Sequence, residues 1–197
     1  MAGRTVVVSL LCVFSFLVIY NTSVLTSSNM SSSTHEQSST RDLKVRLSSG
    51  SSSSVLKVTV ENESQTHSYS VLTWNTPLDE QALNIGALTI EDAKTGEAIP
   101  GPQMKVNRKL PPPHDAVVEV PPRSTASREV NFSFPWLPKD GKVYRVKVQG
   151  PWKAVWAKSA TQVTDEELSE MSGESHLLEE TIRSESVELK LGESSAF

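Results

Sequence analysis

From Leu43 onward, apolar and polar residues alternate in short runs. "LKVRL" puts Leu43, Val45 and Leu47 on one face and Lys44 and Arg46 on the other. "VLKVTVE" repeats the pattern, with Leu56, Val58 and Val60 against Lys57 and Thr59. A period of two is the signature of a half-buried strand. "YSVLTW" continues the series, with Trp74 expected to plug a sandwich at the strand end. "ALTIEDAKTGEAI" reads as strand, turn at Lys94-Thr95-Gly96, strand, and "MKVNRKL" follows. "AVVEV" and "SREVNFSF" come next. "KVYRVKV" then points Tyr144, Val146 and Val148 inward, and "SESVELKLGE" closes the series with Val187, Leu189 and Leu191. Polar turns separate the runs about every 8–12 residues, which predicts a β-sandwich or barrel. All 11 prolines fall between Pro77 and Pro151, in the connections, because proline cannot donate to a sheet ladder. One helix is predicted at "VTDEELSEM", where Thr164 and Glu167 have capping-box spacing and Gly173 is positioned to end it.

The amino terminus breaks this pattern. After Arg4, "TVVVSLLCVFSFLVIY" is almost wholly apolar. It is long for a signal peptide and short for a membrane span. The residues after it offer no good cleavage site, so an uncleaved signal-anchor over residues 5–25 is favoured over a cleaved signal peptide. Either way the rest of the chain is expected in the secretory lumen or outside the cell, tethered through that segment or released. "TSSNMSSSTHEQSSTRD" reads as a flexible, solvated linker. The organisation expected is an anchor or signal over 1–25, a disordered linker over 26–42, a folded domain over 43–192 and a disordered tail over 193–197. Four N-x-S/T sequons lie beyond the apolar run, at Asn21, Asn29, Asn62 and Asn131. In an exported chain each is a glycan acceptor if exposed. Asn29 in the linker is the first choice and Asn131, inside a strand, the last.

Composition narrows the function. The chain has 197 residues, 37% hydrophobic, with a net charge of −4. That supports one folded core and argues against bulk binding to nucleic acid. Its one cysteine, Cys12, allows no intramolecular disulfide and no cysteine metal cluster. Charge is segregated: residues 43–159 carry 15 basic and 11 acidic side chains, residues 160–197 carry 2 and 10. The acidic segment either lies against the basic edge of Arg145, Lys147 and Lys153 or forms a solvated face, the reading preferred.

Motifs for catalysis are missing from the sequence. His35-Glu36 begins a zinc-protease pattern, but Ser39 stands where the second histidine must be, one helical turn on. His67, His114 and His176 are isolated. There is no G-x-S-x-G elbow and no glycine-rich phosphate loop. The carboxylate pairs Asp79-Glu80 and Glu91-Asp92 sit at turns. No cofactor is expected. "GPWKAVWAK" spaces Trp152 and Trp156 so that in one strand both rings share a face, beside Lys153. That face is either core, the preferred reading, or a sugar-stacking or interaction surface. "KLPPPHD" is read as a rigid connection rather than a polyproline ligand.

"LKVRLSSGSSSSVLKVTVENESQTHSYSVLTWNTPLDEQAL" resembles the start of the non-catalytic β-sandwich domain of fungal deuterolysin-type and peptidyl-lysine metalloendopeptidases. "GEAIPGPQMKVNR", "VVEVPPRSTASREVNFS" and "SESVELKLGE" are similar to later strands of that domain. "VTVEN", "LTWNTPLD", "KLPPP", "WKAVW" and "VTDEEL" also resemble a group of small uncharacterised fungal proteins that carry the sandwich alone. The resemblance implies an all-β, immunoglobulin-like antiparallel sandwich with one short helix before the last strand. It transfers no catalytic residue, since the zinc ligands are absent. The expected function is a non-enzymatic, exported interaction module whose partner is an unknown protein or glycan. The alternatives are a protease-associated, pro-domain-like or inhibitory binder, and a carbohydrate-binding module using Trp152 and Trp156.

Overall fold

The computed structural model describes residues 38–173, 175–177 and 181–192. The apolar run, Asn21, Asn29, most of the linker and the tail over 193–197 lie outside these residues. The described residues form one compact unit. Its strands are β1 (Leu43–Ser49), β2 (Val55–Asn62), β3 (Tyr69–Leu72), β4 (Leu88–Asp92), β5 (Val117–Val120), β6 (Thr125–Asn131), β7 (Val143–Pro151), β8 (Val155–Trp156), β9 (His176–Leu177), β10 (Thr181–Arg183) and β11 (Val187–Lys190). Helix α1 spans Asp165–Glu170.

All strand pairings among the described residues are antiparallel, as in a β-sandwich. One sheet runs β1-β2-β6. A second is built around β7: Val146 pairs with Ile90 of β4 on one side and with Val187 of β11 on the other, and β10 continues along the far end of β7. A third runs β5-β3-β8-β9. A parallel bridge between Val45 and Ser184 ties β1 to the turn after β10. The core gathers the inward residues the alternation picks out: Leu43, Val45, Leu56, Val58, Val60, Tyr144, Val146, Val148 and Leu189. Full burial of each such side chain is worth about 1.5–3 kcal/mol.

β3 departs from alternation because all four of its residues are buried. Tyr69 and Val71 face the main core, whereas Leu72 faces a second cluster with Trp74, Trp156, Val163 and Leu168 of α1. Trp74 is therefore a plug for this second cluster and not for the sandwich interior. α1 starts as its sequence dictates: the Thr164 side chain accepts from the Glu167 N–H, and Glu167 reaches back to the Thr164 N–H at 2.9 Å. It ends at Met171, in the left-handed region, two residues before Gly173.

The hairpin after β4 is shorter than the alternation predicts. Asp92 Oδ1 accepts from the Lys94 and Thr95 N–H groups at 2.8 and 3.0 Å, and Gly96 turns the chain at φ +74. Beyond it only Ala98 bridges Glu91. Residues 101–109, including "MKVNR", form an irregular strap with no strand, consistent with Pro100 and Pro102 removing two ladder donors. Local structure extends upstream of Leu43, with a 3-10 turn at Thr40–Asp42.

Candidate functional site

The loop after β3 is held by a series of local hydrogen bonds. Thr76 Oγ1 donates to the Thr73 carbonyl at 2.7 Å and accepts from the Leu78 N–H at 3.1 Å. Asp79 accepts from the Asn75 and Gln81 N–H groups, each at 2.9 Å. Asn75 adopts φ 60, a conformation asparagine tolerates. These local bonds fix the Asp79 carboxylate, whose side chain is 1% exposed.

Arg108 comes from the strap and meets this loop. Its Nη2 donates to Asp79 Oδ2, and its guanidinium carbon lies 5.1 Å from the centroid of the Trp74 ring. Burial alone pushes the Asp79 carboxyl up, but bonds from Arg108 and from the Gln81 and Asn75 N–H groups outweigh it and hold it below the ordinary range. Arg108 Nε is buried and has no hydrogen-bond partner among the described residues. The Met104 N–H, donating to the Asn84 carbonyl at 2.9 Å, fastens the strap a second time.

A cleft of about 380 Å³ opens beside this pair. It is lined by Trp74, Asp79, Arg108 and Asp115, and by Ser127 and Arg128 of β6. β6 is an edge strand. The Phe132 N–H donates to the Ser54 carbonyl and the Asn62 N–H to the Ser124 carbonyl. Even-numbered residues of β6 therefore bond to β2, and the backbone groups of Thr125, Ser127, Glu129 and Asn131 point outward.

Each carboxylate pair is split between separate partners. Asp79 holds Arg108, whereas Glu80 faces Arg128 at 3.4 Å. Glu91 holds Lys147, whereas Asp92 caps its own turn. Among the described residues no group of three His, Cys, Asp or Glu side chains is placed to hold a metal ion. His114 pairs with Asp165 of α1 at 2.8 Å. The acidic segment meets the basic edge only in part: β11 places Glu188 opposite Arg145 of β7, whereas Glu167 of the helix pairs with Lys158, and Lys147 with Glu91.

Trp152 and Trp156 do not share a strand face. β7 ends at Pro151, and the chain crosses to the β3 sheet before β8 begins. Trp152 joins the main core at 3% exposure, and Trp156 the second cluster at 0%. The Trp156 indole N–H donates to the Ser172 carbonyl at 2.8 Å. Only Lys153 between them is exposed, so neither ring offers a stacking surface to a sugar.

The two sequons in the described domain also fall out differently from their expected order. Asn62 is 0% exposed. Its Nδ2 donates to the carbonyls of His67, Val120 and Pro121 at 2.7, 2.9 and 3.0 Å, and its Oδ1 accepts from the Ser64 N–H. It is a strut between two connections and not an accessible acceptor. Asn131, at the end of β6, is exposed.

The sequence pattern of an immunoglobulin-like domain matches residues 42–191. The chain belongs to that family. It is also similar to an uncharacterized secreted protein of Arthroderma benhamiae, with 36% identity over 121 residues, 60% of this chain and 61% of the relative. The chain thus spans less than two thirds of the relative's length. Neither match carries a link to metalloendopeptidases.

Sequence reasoning missed Arg108. It lies 29 residues from Asp79, in "MKVNRKL", which reads as a strand but forms an irregular strap. The available signal was a lone arginine in a proline-rich connection following a turn with a carboxylate.

Proposed function

We propose that this chain is a non-enzymatic interaction module working outside the cytoplasm, and that it engages a partner protein at the cleft between Trp74, Arg108 and the edge of β6. The observation that carries this reading is the open backbone edge of β6 beside a cleft lined by Trp74 and the partly exposed Arg108. An extended partner segment would take the ladder bonds of a further strand at the outward groups of Ser127, with a carbonyl or carboxylate on the exposed part of the Arg108 guanidinium. Export is supported by the relative's description as secreted and by the apolar amino terminus. Tethering through residues 5–25 is part of the same proposal.

The test is affinity capture from native extract with the full chain and with Ser127→Pro. Proline there removes an outward N–H and leaves the bonds to β2 in place. Proteins held by the wild type and lost by a variant with an unchanged melt support the cleft as the docking face. Equal retention by both chains counts against the cleft, and retention by neither counts against an interaction module. A protease among the proteins lost would favour the protease-associated reading.

A further inference from the structure

We propose that Asn131 is the N-glycosylated residue of the folded domain, and that Asn62 is left unmodified. The inference rests on the export reading above. Both asparagines satisfy the N-x-S sequon, and the sequence alone ranks Asn62 higher. The fold reverses that order.

The atom that takes the glycan is the side-chain nitrogen. In Asn62 that nitrogen donates to three carbonyls inside a fully buried site. A glycosyl bond there replaces an N–H that holds two connections together, and it forces a sugar into closed packing. The sequon hydroxyl residue, Ser64, is buried too, and its Oγ accepts from the His67 N–H at 3.0 Å. A chain modified at Asn62 cannot close around it.

Asn131 has the opposite surroundings. Asn131 and Ser133 are both exposed, while Phe132 between them is buried in the core. The Ser133 N–H donates to Asn131 Oδ1 at 2.9 Å. The chain thus turns out of the sheet with the acceptor amide and the sequon hydroxyl on the solvent side, pinned by Phe132. A glycan at this place displaces no packing. In the transfer, a bond forms between Asn131 Nδ2 and the anomeric carbon of a lipid-diphosphate-linked oligosaccharide. The bond from that carbon to the phosphate oxygen breaks, the lipid diphosphate leaves with the electron pair, and one amide proton is lost.

The position has a structural consequence. Asn131 ends the open edge of β6, about 13 Å along the strand from Ser127. A glycan there shields one end of an edge otherwise open to pairing with other chains, and it leaves the end beside the cleft free.

The experiment translates the full chain in the presence of microsomes, once with its own amino terminus and once behind a cleavable leader. Protease protection reports translocation. Enzymatic deglycosylation in heavy-oxygen water, followed by mass spectrometry, marks each used asparagine. In the leader form, the Asn131 peptide carries the mark, the Asn62 peptide does not, and Asn131→Gln loses one glycan from the total. An unmarked Asn131 or a marked Asn62 in folded, translocated protein overturns the proposal. Translocation only with the leader, with Asn131 marked, overturns the export reading and leaves the site standing.

Discussion

Arg108 lies over the Trp74 ring and donates to Asp79, so one guanidinium closes a strap with no regular structure onto the hydrogen-bonded loop after β3. Asp79 is almost wholly buried and Arg108 24% exposed. A pair with one partner this enclosed is weak evidence of net stabilisation, but removing one member leaves the other charge uncompensated.

Asp79→Asn should therefore cost about 3 kcal/mol at pH 7. The folded-state pKa of Asp79 is depressed. Its contribution is thus fully present above the unfolded value of about 3.9 and is lost as pH falls through the lower folded value. Urea unfolding of wild type and variant at pH 7 and in steps below pH 4 should show the gap closing as acidity increases. A gap that stays constant down to pH 2 would show that Asp79 acts through shape and not charge.

The capping box of α1 gives a smaller effect. Thr164→Ala should cost about 1 kcal/mol. Glu167 has a second role: Lys158 Nζ donates to its two oxygens at 2.6 and 2.5 Å, and this, with the Thr164 N–H, holds the Glu167 carboxyl below its ordinary range. Glu167→Gln should then lose more stability at pH 7 than Thr164→Ala and converge on wild type in acid. Thermal melts across that pH range check the order.

Where one face of a strand is buried and the other wet, the sequence was enough. β1, β2 and β7 follow their alternation residue by residue because burial has a period of two there. β3 carries no alternation because a second cluster covers its other face, and no local pattern announces a third layer. The Trp152–Trp156 spacing misled because Pro151 ends the ladder between sheets, so a four-residue interval no longer fixes a face. Polar residues were the least legible. Asn62 and Asn131 share a sequon and a strand-end position, yet the burial of Asn62 is decided by carbonyls 58 and 59 residues away. Asp79 and Arg108 are joined in the same way, by tertiary contact alone.

Trp152→Ala and Trp156→Ala should both be destabilising, each by about 3–5 kcal/mol, because each ring fills a different cluster. Their effects should add within about 0.5 kcal/mol, as expected of sites with no shared partner. Strong non-additivity in denaturant unfolding would mean that the two clusters behave as one core. Wild-type stability unchanged in either variant would place that ring on the surface.

The amino-terminal boundary of the domain carries the last prediction. Alternation begins at Leu43, but the residues before it are already fastened. The Tyr69 hydroxyl, on a fully buried ring, donates to Asp42 Oδ2 and accepts from the Ser39 N–H at 3.0 Å. The Glu63 N–H donates to the Asp42 carbonyl at 2.8 Å. A fragment starting at residue 43 loses all three bonds and leaves polar groups of Tyr69 and Glu63 to find other partners. Bonds of this kind are worth about 0.5–1.5 kcal/mol each, and more where a buried group is orphaned. The fragment 38–197 should therefore melt cooperatively, and 43–197 should be less stable by about 2 kcal/mol. Tyr69→Phe isolates the hydroxyl: in the longer fragment it should reproduce part of that loss, and in the shorter one it should cost much less. If Tyr69→Phe costs the same in both fragments, the contacts of residues 39–42 do not stabilise the domain, and its boundary lies at Leu43.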